Sequence, residues 1–185
     1  MDQSRRVKLE RWRRNKPANP AVEQDSIAGE VPLAFTYNRS SHVVMMATPA
    51  DLEDLAVGFS VTEGIVDEPE ELLRFHAIER PGGLELAMTV GEDCFDRLAT
   101  RRRNLAGRTG CGLCGAENIE QALRRPQAVG NSLLIVHDAL QQAVAQLESH
   151  QPLQAQTGAS HGAAWCNRQG EVLRLREDVG RHNAL

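Results

Sequence analysis

The chain has 185 residues, of which 41% are hydrophobic, 25% are charged and only 4% are aromatic. This length fits one domain of ordinary size whose core rests on aliphatic side chains. No apolar run approaches the roughly 20 residues that cross a bilayer, which argues against a membrane protein. The net charge of −4 argues against a general nucleic-acid binder.

The N-terminal residues are polar and strongly basic. Residues 1–26 contain Pro17 and Pro20 and no apolar segment that could form the core of a signal peptide. We therefore predict a flexible basic arm over 1–26, a folded domain over 27–185 and a cytoplasmic location. Four cysteines do not make a disulfide scaffold, so in a reducing compartment they are expected to be free, catalytic or metal-bound.

Two β-hairpins and a helix are predicted in the first half of the chain. The predicted strands and turns are 31–37, the turn 38–41 and 42–47, then 72–80, the turn 81–83 and 84–90. Between the hairpins, Thr48 is a suitable N-cap and Pro49 suits the first helical position. The apolar residues that follow share one helical face and are expected to pack on a sheet, namely Leu52, Leu55, Ala56 and Phe59.

The second half of the chain continues the alternation of helices and strands. A short helix is predicted over 116–125, and Asn131 or Ser132 can cap a longer helix that reaches about His150. Its buried side is expected to hold Leu133, Val136, Leu140, Val144 and Leu147. A strand is predicted over 171–176. The pattern predicts an α/β fold with a mixed sheet and flanking helices.

One loop carries the most informative chemistry, Thr109-Gly110-Cys111-Gly112-Leu113-Cys114-Gly115. Two thiols at this spacing can bind a metal, exchange with a disulfide or carry sulfur as a persulfide. The glycines favour a flexible loop that a partner molecule can approach closely. Cations near a thiol lower its pKa and attract anions, and several precede the loop, namely Arg97, Arg101, Arg102, Arg103 and Arg108.

The three alternatives fit the rest of the sequence unequally. A zinc site lacks the second half of its ligand set, and His161-Gly162-Ala163 has alanine where a zinc deaminase needs its glutamate. We therefore predict no protein-bound metal. A thioredoxin-like pair would follow a first strand beside an aromatic residue, which this loop does not. The spacing alone does not separate dithiol redox chemistry from sulfur relay.

Seven segments occur in an order that is typical of one family. They are Glu30-Val31-Pro32-Leu33, His42-Val43-Val44-Met45-Met46-Ala47-Thr48-Pro49, Asp51-Leu52-Glu53-Asp54-Leu55-Ala56-Val57-Gly58-Phe59-Ser60, Glu63-Gly64-Ile65, Gly107-Arg108-Thr109-Gly110-Cys111-Gly112-Leu113-Cys114-Gly115, Thr157-Gly158-Ala159-Ser160-His161 and Arg176-Glu177-Asp178-Val179-Gly180-Arg181-His182-Asn183-Ala184-Leu185. Together they resemble the formate dehydrogenase accessory sulfurtransferase family.

This resemblance implies sulfur relay. It implies that Cys111 accepts sulfur from a cysteine desulfurase as a persulfide and that Cys114 is an assisting second thiol. The implied acceptor is the molybdenum bis(molybdopterin guanine dinucleotide) cofactor, before its insertion into formate dehydrogenase. The resemblance also implies a cytidine-deaminase-like fold and a homodimer. His161, Arg181 and His182 match family motifs and are candidates for lining the path of the cofactor.

Members of the family continue past the motif that ends in Arg181-His182-Asn183-Ala184-Leu185. We therefore expect the C-terminal part of the domain, with the main cofactor-binding segment, to lie beyond Leu185. One alternative function stays open, a noncatalytic chaperone that binds the cofactor or the dehydrogenase without moving sulfur. Neither function calls for a nucleic acid or a membrane as a partner.

Overall fold

The computed structural model describes residues 1–11, 21–103, 130 and 134–185, and within them groups of strands are separated by helices. The elements in chain order are β1 (Ser4–Arg11), β2 (Ala21–Ala28), β3 (Val31–Tyr37), β4 (Ser40–Ala47), α1 (Leu52–Thr62), a 3₁₀ turn (Pro69–Glu71), β5 (Leu72–Arg80), β6 (Gly83–Val90), α2 (Glu92–Arg103), α3 (His137–Leu147), a second 3₁₀ turn (Glu148–His150), α4 (Pro152–Thr157), β7 (His161–Cys166), β8 (Val172–Asp178) and α5 (Arg181–Ala184).

The two predicted hairpins are confirmed, and they join into one four-stranded sheet with the order β4-β3-β6-β5. The strands of each hairpin are antiparallel, whereas β3 and β6 pair in parallel. The sheet is therefore mixed, as predicted. The first turn is tighter than predicted, because only Asn38 and Arg39 leave the strands, with φ of 47° and 67°. Two left-handed residues in succession match the right-handed twist of a hairpin.

The core lies on one face of this sheet. Alternation along β3 and β6 directs Leu33, Phe35 and Leu86 to the same side, where all three are fully buried. The helix α1 packs over them through the predicted apolar stripe, which is confirmed, and the rings of Phe35 and Phe59 lie 4.5 Å apart. Burying a side chain of this size stabilises the fold by about 1.5–3 kcal/mol.

The start of α1 differs from the prediction. The helix begins at Leu52, and Asp51 before it has a left-handed backbone with φ of 45° and makes no side-chain cap. Thr48 is fully buried, and its hydroxyl oxygen accepts a hydrogen bond from the backbone of Val179. The predicted N-cap was wrong because a partner distant in sequence occupies the hydroxyl that would have capped the helix.

The N-terminal segment also differs from the flexible arm predicted for 1–26. In the structure β1 and β2 form an antiparallel pair. Val7 and Leu9 are half-buried at alternate positions of β1, and the Ser4 hydroxyl donates to Gln156 Oε1 at 3.0 Å. The abundant charged residues of this segment hide the short apolar alternation. The assignment of 27–185 to one domain stays a prediction.

In the second half, α3 packs against the β7–β8 pair. This helix begins at His137, later than predicted, and the predicted caps Asn131 and Ser132 lie outside the described residues, as does the predicted helix over 116–125. The strand predicted over 171–176 is confirmed as β8. It extends to Asp178 and so brings the following motif up to the sheet.

The buried face of α3 is not the predicted one. Leu140 and Val144 were predicted to be buried, but each is more than half exposed. Ala139 is buried instead, and Gln146 Nε2 donates to the carbonyl of Gly170 at 2.9 Å. The contacting face is thus rotated by one residue, about 100°. The larger apolar side chains misled the prediction because α3 makes its contacts through alanine and glutamine.

Candidate functional site

The predicted sulfur-carrying residues Cys111 and Cys114 lie outside the described residues. Two other cysteines are described, and both are free thiols. Cys94 lies on the buried face of α2, and this burial, reinforced by the nearby Glu71 carboxylate, raises the pKa of its thiol. Because the thiolate is the nucleophile, a buried thiol with a raised pKa is a poor sulfur acceptor. Cys94 is therefore a core residue, while Cys166 is half-buried in β7.

The structure brings together the three other candidate residues, which come from two motifs that are distant in sequence. His161 begins β7 and pairs with Asp178, the last residue of β8. Arg181 and His182 begin α5, which packs against both β7 and β8. The side chains of His161, Arg181 and His182 are all exposed. We call this surface the α5 edge, defined by these three residues.

A buried carboxylate lies directly under the α5 edge. Asp178 is only 4% exposed. Its Oδ2 accepts a hydrogen bond from the backbone N–H of Thr48 at 2.8 Å. Its Oδ1 accepts two more, from the backbone N–H of Gly180 at 2.7 Å and from Nδ2 of Asn183 at 3.1 Å. One side chain therefore connects the end of β4, the turn after β8 and the helix α5.

Two further hydrogen bonds complete this network. The Thr48 hydroxyl oxygen accepts from the backbone N–H of Val179 at 3.1 Å, and Nδ2 of Asn183 donates to the carbonyl of Met46 at 3.0 Å. We call these five bonds the Asp178 network. They join the motif around Thr48 to the motif around Asp178, although the two are 130 residues apart in sequence.

A second carboxylate organises the loop that leads to His161. The Oε atoms of Glu177 accept from the backbone N–H groups of Leu153 and Gln154, at 2.9 and 2.8 Å, in the first turn of α4. Oε1 also accepts from the hydroxyl of Ser160 at 2.8 Å. The first N–H groups of a helix have no partner within it, so a carboxylate there satisfies them. Its negative charge also interacts favourably with the positive end of the helix dipole. Glu177 thereby fixes the chain just before His161.

Arg176, which precedes Glu177 and Asp178 on β8, faces α1. Arg176 forms an ion pair with Asp54 and lies 3.6 Å from Asp51, measured from Nε to Oδ2. The pair is partly exposed, since about a third of the Arg176 side chain and about half of each carboxylate side chain remain in solvent. Successive residues of β8 therefore contact three different parts of the fold, which are α1, α4 with its loop, and β4 with α5.

The α5 edge has the chemistry of a surface that binds anions. The guanidinium of Arg181 is always charged and offers several donors in a fixed plane, which suits phosphate and carboxylate oxygens. The imidazoles of His161 and His182 each offer a further donor. Within the part of the chain that the structure describes, no cluster of three His, Cys, Asp or Glu side chains is arranged to hold a metal ion.

The residues that hold this edge in place were not predicted from the sequence. His161, Arg181 and His182 stood out through their motifs, whereas no role was predicted for Glu177 or Asp178. One signal was available, because two adjacent carboxylates end an otherwise alternating strand and stand just before Gly180. Carboxylates in such a position are either exposed to solvent or accept hydrogen bonds from backbone N–H groups, and only the fold distinguishes these possibilities.

Among the helices in residues 1–11, 21–103, 130 and 134–185, none combines the length and the apolar character that crossing a bilayer requires. The longest described helix, α2, has 12 residues and carries a charged side chain at more than half of its positions.

The solved structure of a Desulfotalea psychrophila protein, described as a putative formate dehydrogenase accessory protein, has a similar fold. It matches 98% of this chain and 64% of its own length with a TM-score of 0.66 and 22% identity. At this identity the likeness concerns the fold alone. It agrees with the mixed α/β architecture, whereas the cytidine-deaminase-like description stays a prediction.

Curated relatives are much closer in sequence. The sulfur carrier protein FdhD of Cupriavidus necator is 48% identical over 177 residues, and that of Xanthomonas euvesicatoria pv. vesicatoria is 51% identical over 174 residues. These matches cover 96% and 94% of this chain but only 60% and 62% of the relatives. The chain therefore spans about three fifths of their length. The model of the FdhD/NarQ family matches residues 28–185, and the chain belongs to that family.

Proposed function

We propose that this protein is a sulfur carrier for formate dehydrogenase. It accepts sulfur from a cysteine desulfurase as a persulfide on Cys111 and passes it to the molybdenum bis(molybdopterin guanine dinucleotide) cofactor. The observation that carries the proposal is the 48–51% identity with relatives named sulfur carrier proteins. The sequence Cys111-Gly112-Leu113-Cys114 supports it, because relay needs one thiol that takes up sulfur and benefits from a second that releases it.

The loading step is an exchange between sulfur atoms. The Cys111 thiolate attacks the outer sulfur of the persulfide on the desulfurase. A new S–S bond forms at Cys111, the S–S bond of the donor breaks, and the donor leaves as a thiolate. No net oxidation takes place. A cation near Cys111 favours the attacking thiolate, and the arginines that precede the loop in sequence supply positive charge.

The release step uses the second thiol. The Cys114 thiolate attacks the inner sulfur of the Cys111 persulfide, and the outer sulfur leaves as hydrosulfide with the electron pair of the broken bond. The two cysteines are thereby oxidised to a disulfide, which a thiol reductant returns to the dithiol. At the acceptor, hydrosulfide replaces an oxo ligand of molybdenum. The oxo oxygen takes one proton from the hydrosulfide and one from solvent and leaves as water, and the sulfur stays on molybdenum.

The α5 edge supports the choice of acceptor. A guanine dinucleotide cofactor carries phosphate groups, and Arg181 with His161 and His182 offers exposed donors suited to phosphate oxygens. We propose that this edge receives the phosphates of the cofactor. A homodimer and a cytoplasmic location are further predictions, which light scattering of the purified protein and cell fractionation test.

The persulfide is tested directly by mass spectrometry. The protein is incubated with a cysteine desulfurase and cysteine, digested without reductant and searched for peptides heavier by one sulfur atom. We expect the added sulfur on Cys111, and we expect it to disappear in Cys111→Ala. Cys166→Ala is the matched control, because that thiol is half-buried in β7, and it should load as the unaltered protein does. A loop peptide without added sulfur in the unaltered protein would contradict the proposal.

Complementation distinguishes the chaperone alternative. The protein and its Cys111→Ala variant are expressed in a strain that lacks the accessory protein, and formate dehydrogenase activity is measured. Sulfur relay predicts that Cys111→Ala restores no activity, because the persulfide cannot form. Full activity with this variant would show that the protein binds its partner without moving sulfur.

A further inference from the structure

Burying the carboxylate of Asp178 costs free energy that its hydrogen bonds must offset. Transfer of a carboxylate out of water is expensive and is tolerated only where hydrogen bonds compensate it. Asp178 is almost completely buried, and its three described donors are neutral N–H groups that come from three separate segments. An apolar residue at the end of β8 would avoid that cost but would leave the N–H groups of Thr48, Gly180 and Asn183 without their acceptor. The carboxylate therefore stabilises the segments that carry its donors.

What the donors hold is α5. This helix has only four residues, too few to persist without tertiary contacts. Asp178 binds the residue just before it, Gly180, and one within it, Asn183. The packing is close, since a Cβ at Gly180 would lie 3.0 Å from Asn183 Nδ2 and 3.3 Å from Asp178 Oδ1. Asp178 thus fixes the position of α5 together with the carbonyl of Met46, which Asn183 also binds.

The residues that α5 exposes are those of the α5 edge. Arg181 and His182 lie between the two positions that Asp178 binds, so their backbone is fixed from both sides. His161 is paired with Asp178 across the β7–β8 ladder, so the same residue sets its distance from α5. Thr48 fixes Asp178 in turn by donating to Oδ2 from its own buried backbone. The network therefore holds α5, which carries Arg181 and His182, and it includes the residue that pairs with His161 of β7.

We propose that Asp178 is a positioning residue for the delivery half of the sulfur relay. Its carboxylate holds α5 so that Arg181, His182 and His161 together receive the phosphates of the sulfur acceptor. The inference rests on the proposed function and deepens it, because it separates two steps of the relay. Loading needs Cys111 alone, whereas delivery also needs the acceptor, whose phosphates the α5 edge receives, and Asp178 acts on delivery.

Two variants of the full protein test this inference. In Asp178→Asn one acceptor oxygen becomes an NH₂ group that faces an N–H donor, and in Asn183→Ala the donor on α5 is removed. Both reactions are followed, loading by the mass of the Cys111 peptide and delivery by the formate dehydrogenase activity restored in a strain that lacks the accessory protein. We expect each variant to reduce delivery about 10- to 100-fold and to reduce loading far less.

Coupling between the two residues provides a second measurement. Because both changes act through one hydrogen bond and one helix, the double variant should deliver little less sulfur than Asp178→Asn alone. Asp96→Asn is the matched control, since that carboxylate is exposed on α2, and it should deliver as the unaltered protein does. Asn183→Ala keeps the buried carboxylate and therefore remains informative if Asp178→Asn folds poorly.

The outcomes distinguish the inference from the proposed function. Normal delivery by Asn183→Ala and Asp178→Asn would overturn the inference. Equal losses of loading and delivery in both variants would also overturn it, because a general folding defect predicts that pattern. If the unaltered protein acquires no persulfide, the proposed function itself fails, and this result is seen without any variant.

Discussion

At the scale of single residues, one buried hydroxyl pair determines how the protein responds to alkali. The hydroxyl of Tyr37 lies 2.8 Å from that of Ser60, and both side chains are fully buried. Ser60 donates to the carbonyl of Ala56 at 2.6 Å, so its oxygen is left to accept from Tyr37. The Tyr37 hydroxyl is therefore held in its protonated form, and burial raises its pKa to about 12.

This pKa predicts a steep loss of stability at high pH. The folded pKa of about 12 exceeds the ordinary value of 10.0, so the contribution of Tyr37 is complete below pH 10 and is lost as the pH rises from 10 to 12. Two pKa units correspond to about 3 kcal/mol of unfolding free energy. Tyr37 is the only tyrosine of the chain, so the ultraviolet absorbance of the phenolate reports its titration alone.

We expect a phenolate midpoint near pH 12 in the folded protein and near 10 in denaturant. Tyr37→Phe removes the titrating group, so its unfolding free energy should fall less between pH 10 and 12. A midpoint near 10 while circular dichroism still reports the folded state would contradict this prediction.

Residue roles were predictable from sequence only where the chemistry is local. The motifs drew attention to His161, Arg181 and His182, and the structure brings these together. The same residue-level reasoning made Thr48 a helix cap, whereas it is a buried member of the Asp178 network. A threonine before an apolar helix has two competing kinds of partner, the helix and a backbone group distant in sequence, here that of Val179, and sequence shows only the first.

At the scale of elements, Glu177 and Arg176 are neighbours on β8, and we expect them to contribute differently to the unfolding free energy. Glu177 satisfies two backbone N–H groups of α4 and the hydroxyl of Ser160. Glu177→Ala leaves those groups without their partner, so we expect the unfolding free energy to fall by about 1–2 kcal/mol. The amides of Leu153 and Gln154 should exchange hydrogen faster. These effects are measured by urea unfolding and by hydrogen exchange.

The exposed Glu70 provides the control for this change. Glu70→Ala removes the same carboxylate from the surface and should shift the unfolding free energy by less than about 0.5 kcal/mol. If Glu177→Ala proved no more destabilising than Glu70→Ala, with unchanged exchange at Leu153, its hydrogen bonds would not stabilise α4.

The ion pair of Arg176 should contribute much less. Its partners Asp51 and Asp54 are about half exposed, and pairs of this kind contribute about 0–1 kcal/mol. We expect Arg176→Ala to lower the unfolding free energy by no more than about 1 kcal/mol, with the difference shrinking at high salt because exposed charges are screened. Denaturant titrations at two salt concentrations measure both effects. A loss larger than that of Glu177→Ala would contradict this ranking.

Elements were predictable in proportion to how local their signals are. The hairpins of the four-stranded sheet were found because alternation and turn residues are short-range patterns. The face of α3 was not, because its contacts run through Ala139 and Gln146 rather than through Leu140 and Val144. The strand pair at the N-terminus was missed because charged and polar residues occupy most positions of β1 and half of those of β2 and obscure the apolar alternation.

At the scale of the whole molecule, the fold depends on one pairing that no local pattern encodes. The parallel ladder of β3 and β6 joins two hairpins that are each predictable alone, and both strands supply the buried face under α1. The two backbones meet very closely where β6 begins. A Cβ at Gly83 would overlap the carbonyl oxygen of Pro32, which real structures do not tolerate.

Two glycines therefore predict opposite effects of the same substitution. Gly83→Ala forces the strands apart where the hairpins meet, and we expect it to destabilise the protein by about 1–3 kcal/mol. Gly58 lies exposed within α1, and a methyl group there would meet nothing within 4 Å, so Gly58→Ala should stabilise the protein by about 0.5–1 kcal/mol through helix propensity. Urea unfolding of both variants measures whether the unfolding free energy falls or rises in each. A stable Gly83→Ala protein would show that β3 and β6 can separate without loss, and the sheet would then be two independent hairpins rather than one structural unit.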